Sequence, residues 1–542
     1  MRRKIILYLI PAFAAVQAWA QNDTLRTDVI DVIKPFKAIL SESIKIPANP
    51  NPEIPDIKPV TLTYTLPEVR HNDVPTVYTI KPLSLGTSLL PKLKNNYTRL
   101  GYGNYNTPLF EMYLNSTRSR SAQWGAFYKH LSSSADNLRS FSNNTLGLYG
   151  KKFVDNGIVE SDILYHRNVV HLYGYSDEAT LPKKDDLRNQ FGLLEMHGAY
   201  SNVLKDTSKL AYKIGMRYYS YSTNNKVDEG DFKLYGNFSK SMSGNPLKVF
   251  TQVQINNTTA PGLSYNRVFV DINPEYRLNI SKAIYVSVGF NSTFFNDSSA
   301  SKFFFFPKAE AGLGIIRNAL TFYTGITGNL QRNTLRSITT ENPFVRSFGL
   351  DNTENRFEAY AGFKGIISAQ TSFLLQASYA TIRNMMFYGA DTISYAQNTI
   401  FDPNTSGLTH IKAELNHDFW KSFRMGVAVN YFGYDLTIAA PYSRPTFTTT
   451  AHFTYNMADK FLLKTEVFTM NQRTALLRGT AGNNSEVKMD GLVDLNAGLE
   501  YRYSKTVGLF LNVNNLTNNQ YQRWLNMPVF GINVLGGLTV TF

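Results

Sequence analysis

Residues 356 to 364 read Arg356-Phe357-Glu358-Ala359-Tyr360-Ala361-Gly362-Phe363-Lys364. In an extended chain successive side chains point to opposite faces, so Phe357, Ala359, Ala361 and Phe363 share one face and Arg356, Glu358, Tyr360, Gly362 and Lys364 the other. The rhythm returns upstream, where Phe232, Leu234, Gly236 and Phe238 alternate with Lys233, Tyr235, Asn237 and Ser239. Downstream, Phe423, Met425, Val427, Val429 and Tyr431 alternate with Arg424, Gly426, Ala428 and Asn430. Period two from Tyr97 to Phe542 predicts strands with one apolar and one polar face.

A soluble sandwich also alternates, so the connections decide between it and a transmembrane barrel. Tight joins fall near Thr117 to Arg120, Phe153 to Gly157, Ser241 to Asn245, Ser281-Lys282, Arg317-Asn318, Ser368-Ala369, Asn456 to Asp459 and Ser504-Lys505. Interleaved with them are longer ones, near Ser132 to Ser142, Leu172 to Asp186, Asn333 to Thr353, Asn384 to Gly407, Tyr434 to Arg444, Arg473 to Lys488 and Asn514 to Ile532. Tight turns on one rim and long loops on the other are the layout of a bacterial outer-membrane barrel. The expected fold is therefore all-β, a transmembrane antiparallel β-barrel of about 22 strands, within a range of about 16 to 22. Closure matters physically, because in lipid every backbone N–H and C=O needs an internal partner.

In such a barrel the charged positions must face the lumen, since Lys or Arg on the lipid face near the midplane costs about 2 to 4 kcal/mol. Lys233, Arg356, Glu358, Lys364 and Arg424 are assigned there, with Glu195 beside them. Lumen charges select solutes or hold an inserted segment. The blander alternative is a solvated wall of paired charges.

Composition excludes several classes. Aromatic residues make up 13% of the 542, too many for a disordered chain. After the first twenty positions no run of about 18 apolar residues occurs, so helical spans have nothing to be built from. The chain has no cysteine, which removes thiol catalysis and zinc–thiolate sites. Among the eight histidines no HExxH helix occurs, nor is there a Gly-x-Ser-x-Gly elbow, so no enzyme, cofactor or metal site is expected.

The N-terminus carries an address. Met1-Arg2-Arg3-Lys4, an apolar stretch from Ile5 to Val16 and the small-x-small pattern Ala18-Trp19-Ala20 before Gln21 read as a secretory signal cleaved after Ala20. The formal charge of +14 then falls by three positive charges to 14 − 3 = +11. That balance favours anionic partners such as lipopolysaccharide phosphates, and no nucleic-acid motif is present. Residues 21 to 96 hold ten of the 22 prolines and read as an extended periplasmic or lumen arm ahead of the barrel at 97 to 542.

At the other end, Val534, Gly536, Leu538, Val540 and Phe542 line one strand face, and Thr539 and Thr541 the other. Leu538, Val540 and the terminal Phe542 look like the signal by which the barrel assembly machinery recognises its clients. Upstream, Gly508 to Asn518 (GLFLNVNNLTN), Tyr521 to Trp524 (YQRW), Pro528, Gly531 and Gly536-Gly537 resemble the C-terminal end of TonB-dependent receptors. That resemblance implies outer-membrane transport of a solute. The chain departs from the family in having the Pro-rich arm where a folded plug would stand. Within the arm, Thr27-Asp28-Val29-Ile30 has some likeness to a TonB box, which binds TonB by strand addition. TonB or another envelope protein is thus a candidate partner. The alternative function is a non-transporting envelope barrel that binds partner proteins through its arm and loops.

Overall fold

The computed structural model describes residues 96–542 apart from 117–118, 136–138, 175–182, 205–208, 298, 318, 421 and 480–482. The arm, the signal residues Ala18, Ala20 and Gln21, and Thr27 to Ile30 lie outside the described residues. The remainder is a closed antiparallel barrel of 22 strands. Each strand pairs with its chain neighbour, and the first, Tyr97–Gly103, pairs with the last, Asn533–Thr541. That seam runs from Tyr97 opposite Thr541 to Gly103 opposite Leu535. Asn96 and Phe542 extend it by exchanging two backbone hydrogen bonds of 3.0 Å. Closure leaves no unpaired strand edge for lipid to meet.

All the tight joins expected from sequence lie on the rim that carries both ends of the sheet, where no connection is longer than 203–210. The opposite rim carries 172–187, 332–352, 436–446, 471–491 and 515–532. Short turns face the periplasm in such barrels, so the long loops are extracellular. The barrel's outward face is apolar: Leu234, Phe303, Phe305, Phe363, Leu375, Ile411 and Leu538 are exposed. Near the periplasmic rim Phe419, Trp420 and Phe423 pack together, with ring centroids 5.2 Å apart for Phe419 and Phe423, as an aromatic interface belt does.

Two connections differ from the sequence reading, and the first is the join near Ser132 to Ser142, which is only 135–139 because the strands Ala122–Ser134 and Ser140–Val154 pair as far as Ser134 opposite Ser140. In the second, instead of a long loop over Asn384 to Gly407, strands Thr371–Asp391 and Gln397–Trp420 run through it and turn only at 392–396. The reason is that this hairpin projects beyond the membrane and is covered on both faces. Phe387 and Tyr388 are wholly buried, so Met385 to Ala390 shows no alternation to read. Similarly, 471–491 contains a hairpin, Arg473–Arg478 with Asn484–Met489, whose first strand pairs in parallel with Gly389 to Asp391.

Candidate functional site: a loop bridging the lumen

The segment 332–352 leaves the wall after Gln331 and folds inward. Its centre is a short helix, Leu335–Glu341, begun by Thr334, whose hydroxyl accepts from the Ser337 N–H while the Ser337 hydroxyl accepts from the Thr334 N–H. The helix wedges between two apolar clusters. Leu335 packs with Val170, Phe191, Leu193, Tyr219 and Tyr221. Ile338 packs with Leu172, Leu187, Met386, Tyr388, Trp524 and Met527, which come from three other extracellular connections or hairpins. Burying one such side chain is worth about 1.5 to 3 kcal/mol, so the clusters hold the loops together over the mouth.

A polar clasp fixes the same segment to the wall. Glu229, 1% exposed, accepts from the N–H groups of Leu335 at 2.7 Å and Arg336 at 3.2 Å, from Tyr219 Oη at 2.8 Å and from Thr258 Oγ1 at 3.1 Å. The helix start is thereby supplied with the negative charge its free N–H groups favour. Arg267 donates to the carbonyls of Asn333 at 2.9 Å and Leu350 at 2.8 Å, joining the two ends of the loop through one guanidinium. Arg332 grips Asp271 with bonds of 2.6 and 2.5 Å and also meets Gln254, which donates to Asp231. Further along, Arg336 pairs with Glu195 and the Tyr221 hydroxyl meets Thr339 Oγ1 at 2.7 Å. On the far wall Glu341 pairs with Arg444 and accepts from Tyr388 Oη at 2.9 Å. In barrel order these walls are the seventh strand, Ala211–Thr223, and the fifteenth, Thr371–Asp391, so the loop bridges the bore.

The residues singled out from sequence are spread over the barrel. Lys233 is on the lumen face beside the clasp, in register with Gln254. Lys364 places its ammonium 4.9 Å from the centroid of the buried Tyr323 ring, and Glu358 accepts from Asn355 Nδ2 at 3.2 Å. Arg356 stands at a register shift between Asn355 and Phe357, half exposed and paired with Glu354 at 3.1 Å. Arg424 sits by the periplasmic turn, largely exposed, and bonds Asp418 at 2.7 Å. Glu195 is in the clasp. Leu538 is exposed on the lipid face of the last strand, Val540 shares its parity, and Phe542 is exposed at the periplasmic rim. Sequence reasoning did not single out Glu229, Asp231, Arg267, Asp271 or Arg332. The available signal was the polar register running from Lys233 back through Asp231 and Glu229. Among the described residues no group of three or more His, Asp or Glu could hold a metal ion.

No protein-family model and no curated protein matches the chain. Solved structures do. The FrpB iron transporter of Neisseria meningitidis aligns over 84% of this chain and 82% of its own, at 11% identity and a TM-score of 0.66. The ferric-catecholate import receptor Fiu of E. coli K12 aligns over 83% and 82%, at 10% identity and a TM-score of 0.64. The ferripyoverdine receptor of the Pseudomonas aeruginosa outer membrane aligns over 84% and 72%, at 11% identity and a TM-score of 0.57. Closed, apolar outside and looped on one rim, the molecule is an outer-membrane β-barrel. Its particular fold is the 22-strand barrel of the TonB-dependent receptors.

Proposed function

We propose that this protein is an outer-membrane receptor that moves a solute through its lumen, with the bridging loop 332–352 as the extracellular gate. The observation that carries the reading is the clasp itself. Its ties are chiefly ion pairs and hydrogen bonds, whose partners recover water when separated, so their net closing energy is small compared with their number. A gate built this way can open without unfolding the barrel. The fold neighbours are described as iron transporters and import receptors, which supports transport as the use of such a lumen. In this reading residues 21 to 96 form the periplasmic element, with Thr27 to Ile30 offered to TonB by strand addition, and lipopolysaccharide surrounds the extracellular rim.

Liposome swelling with neutral sugars of graded size tests the proposal. The full chain is expected to swell slowly, and a chain with 335–349 replaced by a short Gly-Ser linker to swell several-fold faster. Both are compared with and without residues 21 to 96, so that an occluding arm and an occluding loop are read separately. If none of the four forms admits sugar, transport is excluded and a partner-binding barrel is left.

A further inference from the structure

Three guanidinium groups lie within electrostatic reach of one another where the last extracellular loop enters the mouth. Arg473 is 3% exposed and donates to the carbonyls of Arg523 at 2.7 Å and Gln522 at 2.6 Å; its Nε has no partner, and among the described residues no carboxylate pairs with it. Arg523, exposed in the middle of the strand Gln522–Trp524 that forms a small hairpin with Met527–Pro528, has no carboxylate within ion-pair distance among the described residues either. Arg444 completes the group, and its partner Glu341 is already shared with Tyr388. Three positive charges thus stand against one carboxylate. Burial pulls the Arg473 guanidinium down to about 10, with Arg523 adding repulsion. Uncompensated charge in such a setting is costly, and a bound anion offsets it. Aromatic walls flank the position: Trp524 packs edge-on against Tyr388 with centroids 5.0 Å apart.

From this geometry we propose that Arg523, backed by Arg473 and flanked by Arg444, is a binding site for an oxyanion, a carboxylate or phosphate group carried by a small solute. Guanidinium forks match the two oxygens of either group. The inference names the solute class of the receptor proposed above and rests on that reading for its purpose. Its test, however, requires no flux. The chain has four tryptophans, of which Trp19 falls in the expected signal segment and Trp124 and Trp420 are exposed away from the mouth. With the leader removed and W124F and W420F introduced, Trp524 reports on its neighbour Arg523.

Purified protein in detergent is titrated with sodium citrate and, separately, sodium phosphate, with sodium chloride holding ionic strength constant. A saturable change in Trp524 emission is expected with at least one of them, and the two titrations tell carboxylate from phosphate recognition. Arg523→Gln is expected to weaken binding about tenfold or more, Arg523→Lys to fall between, and the periplasmic-turn variant Arg502→Gln to titrate like the parent. Heat-modifiable migration in gels checks that each variant is folded. A linear response at constant ionic strength, or an Arg523→Gln protein that binds like the parent, overturns the site. Saturable binding in a protein that passes no sugar in any form would keep the anion site and remove the transport reading.

Discussion

Replacing Glu229 by alanine is expected to release the bridging loop while leaving the barrel assembled. The carboxylate is almost fully buried and takes four donors, two of them the backbone N–H groups at the start of the helix Leu335–Glu341. Truncation leaves those donors unsatisfied and removes the one negative charge opposite the helix start. Removing one partner from a buried charged network costs about 3 to 5 kcal/mol, which is roughly two to four orders of magnitude in the ratio of clasped to released loop. Released, the loop exposes Arg332, Arg336 and Arg346 to trypsin added from outside. The expected result is rapid cleavage within 332–352 in the variant and protection in the parent, with heat-modifiable migration unchanged in both before digestion. Glu229→Gln retains one acceptor oxygen and is expected to be cut at an intermediate rate. Equal protection in the alanine variant would show that the apolar clusters around Leu335 and Ile338 hold the loop without the clasp.

The division between what was readable in the sequence and what was not follows from the range of the interactions. Strand faces are local. Phe357 and Phe363, Phe232 and Leu234 meet the outside as their period-two spacing requires, and the tight turns fall on one rim because each is coded by a few adjacent residues. Arg356 shows the limit of parity arguments, because the shift between Asn355 and Phe357 re-aims the residue in between. The clasp is a product of register and return. Asp231 lies opposite Asn256, and Asn256 opposite Arg267, only once three strands are paired. Glu229 meets Leu335 across 106 positions of chain. No spacing within a single strand encodes that encounter. Likewise the mouth cluster draws Leu172, Met386 and Trp524 from segments that look like ordinary polar-rich connections or, at Met385 to Ala390, like an unpatterned apolar run.

The largest effect expected of any single substitution is at the seam. Gly537 stands in register with Gly101, and a β-carbon added there would fall on the Leu100 carbonyl oxygen and 2.6 Å from Gly101 Cα. Both atoms belong to the backbone of the opposing strand, so no side-chain rotation relieves the overlap. The strands must separate at that point, and the first strand has only the seven residues Tyr97–Gly103 with which to hold the last. An opened seam leaves N–H and C=O groups facing hydrocarbon, each costing several kcal/mol, in a structure whose stability in lipid depends on having no edge. Gly537→Val is therefore expected to abolish the heat-modifiable species and to reduce outer-membrane levels to near background, as read by fractionation and gel migration. The adjacent Gly536 supplies the control: a β-carbon there would lie 3.7 Å from Leu511 Cδ1 and from the Phe510 carbonyl oxygen, ordinary van der Waals contact on the lipid side. Gly536→Ala is expected to assemble like the parent. A Gly537→Val protein that reaches the membrane at normal level and still shifts on heating would mean that Tyr97–Gly103 and Asn533–Thr541 do not close the barrel in this register.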